Sequence, residues 1–324
     1  CDSHDLFAPY EIARDPSYKE HINKYDVIGL DVQTFFQFGQ DHKTFVERLA
    51  MAVRDDLCEK WSSIDGLGEM TLADAIATVH IKAGAKFVFV IDEWDAVFRY
   101  YPKDDALQKK WIHFLRDMFK QAAMNPCVAL VYMTGILPIK KYKTQSSLNQ
   151  FFEYTMLRPL ELEKYVGFLP AEVDALCEKF DMDRAEAAQW YDGYMLPHEH
   201  HVYNPCSVAR AMKSRTYGSY WTQTDTFESL LDYINDDLDG VYQDVMSMIG
   251  GKRIVIDTNS YDNSFTTPQC KDDCFTLLSH IGYLAYDEEK SQVFIPNEEV
   301  RMAFRGALKM CSWPEAIKPY QRSQ

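Results

Sequence analysis

The sequence predicts an α/β fold with a mostly parallel sheet, followed by a helical subdomain and a winged-helix-like domain. Two observations predict the sheet. Apolar runs of strand length, Lys86–Ile91 and Cys127–Met133, end in polar residues, and an amphipathic segment of helix length separates them. Alternation of strands and helices is typical of parallel sheets, whose strands are apolar throughout because both faces are covered.

The first region, residues 1–160, contains the sheet. Its first strand is predicted at Tyr25–Val32 and its first long helix at Phe45–Trp61. A second helix runs to Ala83, with Thr71 as N-cap, Asp74 three residues on, and Gly84 as the stop. This pattern resembles a capping box closed by a left-handed glycine.

Two further strands complete the predicted sheet. A helix over Asp105–Met124 ends before Asn125-Pro126 and leads into the strand that finishes at Met133. The apolar segment Phe151–Leu157 is predicted as the last strand of this core.

Residues 161–222 are predicted to be a helical subdomain. Pro170 suits the first turn of one helix, and Asp183 caps the next. Gly193 is expected to adopt the left-handed C-cap conformation, and Asn204-Pro205 begins another helix.

Residues 223–310 show the order of secondary structure that is typical of a winged helix, and residues 311–324 are a tail. The order is helix, helix, short strand, helix, hairpin and a last helix that reaches residue 308, and the first five elements lie at 227–234, 241–248, 254–256, 274–281 and 283–295. The third helix begins Lys271-Asp272-Asp273, whereas DNA-reading helices carry basic side chains. We therefore expect a packing module, with direct DNA binding disfavoured.

Paired carboxylates follow the most apolar strand. Asp92 and Glu93 come directly after Phe87–Ile91, in the pattern of the Walker B motif of nucleotide hydrolases. In that interpretation Asp92 is the metal carboxylate for Mg²⁺, and Glu93 is the catalytic base that polarises the water attacking the γ-phosphate of ATP. The alternative is a buried strand followed by an acidic helix N-cap.

Two more candidates follow neighbouring segments. Thr134 ends the next strand, where a sensor residue can hydrogen-bond the attacking water or the γ-phosphate. Arg158 follows the predicted last strand and is the candidate cofactor-binding residue for a phosphate. The alternatives are an ordinary turn before Gly135 and a salt-bridged surface arginine.

The phosphate-binding P-loop motif G-x-x-x-x-G-K-[ST] has no counterpart in these 324 residues. The nearest fragment, Gly250-Gly251-Lys252-Arg253, lacks the earlier glycine and the hydroxyl and lies downstream of the acidic strand. Tyr25–Val32 is interpreted as the second strand of the sheet. We therefore expect the first strand, the P-loop and the first helix of the core to lie upstream. The 324 residues alone are then expected to bind ATP poorly and to be inactive.

The order of motifs resembles a bacterial AAA-ATPase-like family of predicted P-loop ATPases, often fused to a PD-(D/E)xK nuclease-like domain. The matching segments are spread over most of the chain: Ile91–Asp95, Met133–Tyr142, Gly167–Val173, Trp190–Tyr194 and Val202–Pro205. The resemblance implies an α/β core of the P-loop NTPase type that uses ATP and Mg²⁺. The signature-like Glu288-Glu289-Lys290 lies in a predicted hairpin turn and does not indicate the nuclease domain.

Composition narrows the functional classes. With 47% hydrophobic and 26% charged residues, the chain is typical of a soluble globular protein, and we expect it in the cytoplasm. No stretch approaches the roughly 20 apolar residues that a membrane span needs. The net charge of −15 disfavours nucleic-acid contact.

The eight cysteines form no C-x-x-C pairs. They are expected to be reduced thiols, as is usual in the cytoplasm. A zinc site at His198, His200, His201 and Cys206 is the alternative to a solvated loop there.

Two functional hypotheses follow. The first is a Mg²⁺-dependent ATPase, of which this chain is a fragment. The second is a nucleotide-free interaction scaffold, in which a degenerate ATPase core carries a winged-helix module that binds a protein partner. The sequence leaves open the biological process and the oligomeric state.

Overall fold

The computed structural model describes residues 2–36, 41–136, 148, 150–196, 200–221, 238–258 and 268–310. Contacts divide the chain into two compact units, Cys1–Phe152 and Glu153–Gln324. We call them unit 1 and unit 2. The predicted boundaries at residues 160 and 222 stay predictions.

Unit 1 is a layered α/β structure. Its helices and strands are α1 (His4–Phe7), α2 (Tyr18–His21), β1 (Asp26–Asp31), α3 (Phe45–Lys60), α4 (Leu72–Ala83), β2 (Phe87–Asp92), α5 (Ala96–Tyr100), α6 (Asp105–Phe119) and β3 (Val128–Met133). Short 3₁₀ turns lie at Glu11–Arg14, Gln33–Phe36, His42–Thr44 and Leu67–Glu69.

The three strands form a parallel sheet in the order β1-β2-β3. Asp31 pairs with Asp92 at the end of the β1–β2 ladder, and Ile91 pairs with Met133. The predicted α/β fold with a parallel sheet is therefore confirmed for these strands. Because all three strands are parallel, their carboxyl ends meet at one edge of the sheet.

Local signals position the long helices. The Thr71 hydroxyl accepts a hydrogen bond from Asp74 N at 3.2 Å, and Gly84 ends α4 with a φ of 70°. Asp104 caps α6 by accepting from Leu107 N at 3.0 Å. Helix α6 ends at Phe119, earlier than the predicted Met124, and one short turn then leads into β3.

The two faces of the sheet differ. One face carries Phe87, Phe89 and Ile91, which are buried, and the Phe89 ring contacts Phe119 at the end of α6. Side chains alternate between faces along a strand. The opposite face carries four exposed apolar side chains: Val27 at 67%, Val90 at 38%, Leu130 at 55% and Tyr132 at 51%.

The predicted strand at Phe151–Leu157 is wrong. The segment forms bends and irregular backbone, and Phe152 is 87% exposed. Thr155 and Arg158 exchange two backbone hydrogen bonds of 3.1 Å, which close a turn. The apolar run misled the prediction because no strand in the described part of the chain pairs with it.

Unit 2 contains helices and two small antiparallel sheets. Its elements are α7 (Pro170–Phe180), α8 (Arg184–Tyr191), β4 (Tyr194–Leu196), β5 (His200–Val202), α9 (Pro205–Ser214), α10 (Val241–Ile249), β6 (Ile254–Val255), α11 (Lys271–His280), β7 (Ala285–Asp287), β8 (Gln292–Phe294) and α12 (Glu298–Met310). The 3₁₀ turns are Leu160–Tyr165 and Leu238–Gly240.

The predicted caps at Asp183 and Asn204 are confirmed, because each side chain accepts backbone N–H groups of the helix that follows. Gly193 has the predicted positive φ directly after Asp192, the C-cap residue of α8, and a second constraint also requires glycine there. Its φ is 108°, and a Cβ there would lie 2.1 Å from the carbonyl oxygen of Pro296. Glycine is therefore required for close backbone approach to the segment before α12.

The C-terminal part of unit 2 has a three-stranded antiparallel sheet in the order β6-β8-β7. Helix α11 is buried from Asp273 to Ser279. The winged-helix assignment stays a prediction, and the helix expected at 227–234 lies outside the described residues. No helix within the described ranges is both long and apolar enough to cross a membrane.

Candidate functional site

The candidate site lies at the carboxyl edge of the parallel sheet in unit 1. Asp31 and Asp92 are paired in register at the ends of β1 and β2, and Thr134 directly follows β3. In open α/β sheets ligands bind beyond the carboxyl ends of the strands. The parallel ladder thus brings Asp92 and Thr134, two residues singled out from the sequence, to the same edge as Glu93.

Asp92 and Thr134 are in direct contact. The Thr134 hydroxyl donates a hydrogen bond to Asp92 Oδ1, and Glu93 N donates to the same oxygen at 3.0 Å. The backbone reinforces this contact, because Trp94 N donates to the Thr134 carbonyl at 3.0 Å. The loops after β2 and β3 are therefore joined by both side-chain and main-chain hydrogen bonds.

Glu93 occupies an unusual backbone conformation for a residue other than glycine. Its φ is 54°, in the left-handed region. The side chain is partly buried and forms an ion pair with Arg99 of α5. Such conformations are enriched at functional sites, where surrounding contacts hold them.

Burial raises the pKa of the Glu93 carboxyl above its usual value. The Arg99 guanidinium lowers this pKa, whereas the negative charges of Asp95, Asp92 and Asp31 raise it further. A carboxyl with a raised pKa beside a specific cation is typical of candidate acid–base sites, and it also occurs in structural ion-pair networks.

Asp95 is buried and links the loop after β2 to the loop after β3. Its side chain is fully buried, Oδ2 accepts from Ile136 N at 3.1 Å, and Arg99 Nε lies 3.4 Å from that oxygen. A Cβ at Gly135 would lie 2.6 Å from Cδ1 of Trp94. The absence of a side chain at Gly135 therefore lets the loop after β3 pack against Trp94.

Sequence reasoning missed Asp31, Arg99 and Asp95. Asp31 is the next-to-last residue of the first predicted strand, Tyr25–Val32, so its position near a carboxyl strand end was a usable signal. Asp95 lies two residues beyond Glu93 in the same acidic motif. No sequence pattern identifies Arg99. It lies six residues after Glu93, and only the fold of α5 places its guanidinium beside the Glu93 carboxylate.

Arg158 belongs to unit 2, whereas the other candidates belong to unit 1. Its side chain is exposed, and its backbone closes the turn with Thr155. Its assignment to a phosphate stays a prediction. Of the alternative zinc residues, His198 lies outside the described residues, and His201 Nδ1 lies 3.3 Å from Asp192 Oδ2.

The donor atoms of this edge fit a nucleotide-bound Mg²⁺. Mg²⁺ is usually held by one or two carboxylates together with phosphate oxygens and water. Asp92 supplies an exposed carboxylate, and the neighbouring Thr134 supplies a hydroxyl oxygen. The described residues contain no group of three His, Cys, Asp or Glu side chains able to hold a metal by themselves. A metal shared with phosphates suits this donor set better than an all-protein site.

Comparison with known proteins agrees with this geometry. The chain is 24% identical over 166 residues to "Uncharacterized protein in vnfD 5'region" of Azotobacter chroococcum mcd 1. The match covers 50% of this chain and 32% of that protein, so the chain spans about a third of its relative's length. Residues 2–144 match the family model described as predicted AAA-ATPase. This match agrees with the family resemblance that the order of motifs predicted, and it covers the α/β core of unit 1.

Proposed function

We propose that this chain provides the α/β core of an ATPase that binds and hydrolyses Mg²⁺-ATP. The observation that carries the proposal is the hydrogen bond from Thr134 to Asp92 at the carboxyl ends of neighbouring parallel strands, with Glu93 as the next residue. Asp92 is the metal carboxylate, Glu93 the catalytic base and Thr134 the sensor. Bound Mg²⁺ would neutralise negative charge on the phosphates.

The environment of Glu93 supports its role as the base. Burial raises the pKa of Glu93, which makes its ionised form more basic than an exposed glutamate. Its ion pair with Arg99 restrains the carboxylate beside Asp92. Glu93 would accept a proton from the attacking water, and Thr134 would hydrogen-bond the water or the γ-phosphate.

The exposed apolar face of the sheet is consistent with a further layer of the core that would cover it in a complete ATPase domain. Parallel crossovers are right-handed, so the successive crossovers from β1 to β2 and from β2 to β3 place their helices on one face. A strand–helix unit that paired with the outer edge of β3 and crossed back to β1 would cover the opposite face, which carries Leu130 and Tyr132.

Such a unit would also bring its strand–helix loop to the edge that carries Asp92 and Thr134. A phosphate-binding P-loop needs this location, because its backbone amides and the N-terminus of its helix hold the phosphates. The exposed face therefore favours an ATPase core completed by a P-loop segment over a degenerate scaffold.

We propose that the C-terminal part of unit 2 is a winged-helix-like module that binds a protein partner and does not bind DNA. Helix α11, the third helix of that assignment, has no exposed residue. A DNA-reading helix must present side chains to the major groove. A fused nuclease-like domain as a covalent partner stays a prediction.

The test compares single substitutions in the polypeptide encoded by the complete gene. Glu93→Gln keeps the shape and removes the base, so ATP turnover should fall about a hundredfold while nucleotide binding persists. Asp92→Asn should weaken Mg²⁺-dependent binding, because it removes the charge that faces the metal. Glu59→Gln, at an exposed position of α3, is the matched control and should leave both quantities unchanged.

Calorimetry with residues 1–324 tests whether ATP binding needs an added P-loop. We expect negligible affinity for Mg²⁺-ATP, since the P-loop supplies most phosphate contacts. Micromolar affinity would contradict the need for an added P-loop. Full turnover by Glu93→Gln would show that Glu93 is only a capping residue, and absent turnover by the wild-type polypeptide would favour the scaffold.

A further inference from the structure

The outer edge of β1 has no neighbouring strand among the described residues, and only its end is capped, where the Thr34 hydroxyl donates to the Asp31 carbonyl at 2.8 Å. Asp26 N donates to the Lys86 carbonyl at 2.9 Å, and Val32 N donates to the Asp92 carbonyl at 3.0 Å. In a parallel ladder alternate residues bond to one neighbour, so the peptide groups of Val27, Gly29 and Asp31 face away from β2. Within the described residues, no strand pairs with this edge.

A groove of about 360 Å³ runs along the same edge. Its floor is formed by β1 itself, and its far wall by Ala52, Asp56 and Lys60 of α3. Because the groove is open space beside β1, it leaves room for a backbone to approach at the usual strand spacing of about 4.8 Å.

The charge of the groove indicates what would occupy it. Three carboxylates, those of Asp26, Asp31 and Asp56, line it together with one lysine. That lysine, Lys60, forms an ion pair with Oδ1 of Asp26. Oδ2 of Asp26 is buried and accepts no hydrogen bond from the part of the chain that the structure describes. A buried acceptor without a donor is unfavourable, so an incoming cation or N–H group would be stabilised there.

We propose that the outer edge of β1 binds an extended peptide segment that carries lysine or arginine and adds to the sheet as a fourth strand. Main-chain hydrogen bonds to Val27, Gly29 and Asp31 would supply affinity, as in other cases of strand addition. The carboxylates would select basic over acidic side chains. This surface lies on the opposite edge of the sheet from β3 and shares Asp31 with the candidate site.

The probe is an acetylated peptide of about eight residues with alternating lysine and valine, long enough to span a typical strand. We expect a Kd of about 100 µM or tighter with residues 1–324. Amide hydrogen exchange should slow at Val27, Gly29 and Asp31, whereas Ile28 and Leu30 should change little because their N–H groups already face β2. A peptide with glutamate in place of lysine should bind at least tenfold more weakly.

Two variants at one position test the main-chain contact. Val27→Pro removes an outward N–H while leaving the β1–β2 ladder intact, and it should weaken binding at least tenfold. Val27→Thr keeps the N–H and should bind like the wild type. Unchanged amide exchange in β2 verifies that the proline variant is folded.

Asp26→Asn should reduce the preference for the lysine peptide, since it removes the buried charge. Three results would overturn the proposal: no amide protection at about 1 mM peptide, equal binding of the acidic peptide, or equal binding by Val27→Pro and Val27→Thr. Each would mean that the charged edge only prevents unwanted strand pairing.

Discussion

The acidic residues of the two units are held in different ways. In unit 2, Glu299 is buried, and its Oε1 accepts from Tyr220 N at 2.6 Å and Trp221 N at 2.7 Å. In unit 1, Asp92 is exposed, and Glu93 is partly buried in a strained backbone conformation with a raised pKa. Satisfied buried acids stabilise a fold, whereas strained and exposed acids at strand ends are available for chemistry. We therefore expect substitutions in unit 2 to reduce stability and substitutions at the strand ends to spare it.

The largest effect is expected at Gly193. Gly193→Ala places a Cβ 2.1 Å from the Pro296 carbonyl oxygen at a φ of 108°, so unit 2 should lose roughly 4 kcal/mol of its free energy of unfolding. Gly29→Ala in β1 is the matched control, because its Cβ would meet no atom within 4 Å. Native-state hydrogen exchange, measured separately for peptides of each unit, checks both variants. A loss below about 1 kcal/mol at Gly193 would mean that the segment before α12 shifts to accommodate the methyl group.

Glu299→Ala should destabilise unit 2 by roughly 3 kcal/mol. The substitution leaves two partly buried backbone N–H groups without their acceptor, and an unsatisfied buried group costs about 1–3 kcal/mol. Glu298→Ala is the control, since that carboxylate forms a partly exposed ion pair with Arg301. Equal losses for the two variants, measured as exchange of unit 2 amides, would contradict the structural role assigned to Glu299.

Acid should also destabilise unit 2 through His280. Burial lowers the pKa of His280 from 6.5 to about 4. Between these values the unfolded chain binds a proton that the folded chain excludes, so stability present above pH 6.5 is lost as the pH falls toward 4. The loss should approach about 3 kcal/mol.

His280→Leu should remove the part of this pH dependence that His280 causes. Urea unfolding at several pH values between 7 and 4, followed by exchange in unit 2, measures it. A parallel loss of stability in the wild type and in His280→Leu would assign the acid sensitivity to other groups.

The sequence predicted the elements that depend on local signals. Thr71, Asp183 and Asn204 act as the predicted caps, and the apolar strand before Asp92 lies where its composition placed it. Failures came where structure depends on distant partners. Phe151–Leu157 is apolar, but none of the described strands pairs with it. The close approach of Gly193 to Pro296 has no local signal, because Pro296 lies about a hundred residues further along the chain.

In the candidate site, too, some features could be predicted from the sequence and others depend on residues that the sequence pattern does not connect. The order of strands predicts that Asp92 and Thr134 share an edge, and the parallel ladder brings them into contact. The ion pair of Glu93 with Arg99 was beyond sequence reasoning, because it depends on how α5 packs against the loop after β2. Roles for these residues remain proposals that substitutions must test.

The smallest change in stability is expected at Thr134. Thr134→Val keeps the shape of the side chain and removes one hydrogen bond to the exposed carboxylate of Asp92, so unit 1 should lose no more than about 1 kcal/mol. The backbone bond from Trp94 N to the Thr134 carbonyl survives, and it should hold the two loops together. Exchange of unit 1 amides measures the loss, and Thr78→Val on α4 is a control that removes a hydroxyl away from Asp92. A loss of stability above about 2 kcal/mol would mean that the contact between Thr134 and Asp92 mainly stabilises the fold, as Glu299 does in unit 2. The proposed difference between the two units would then not hold at Thr134.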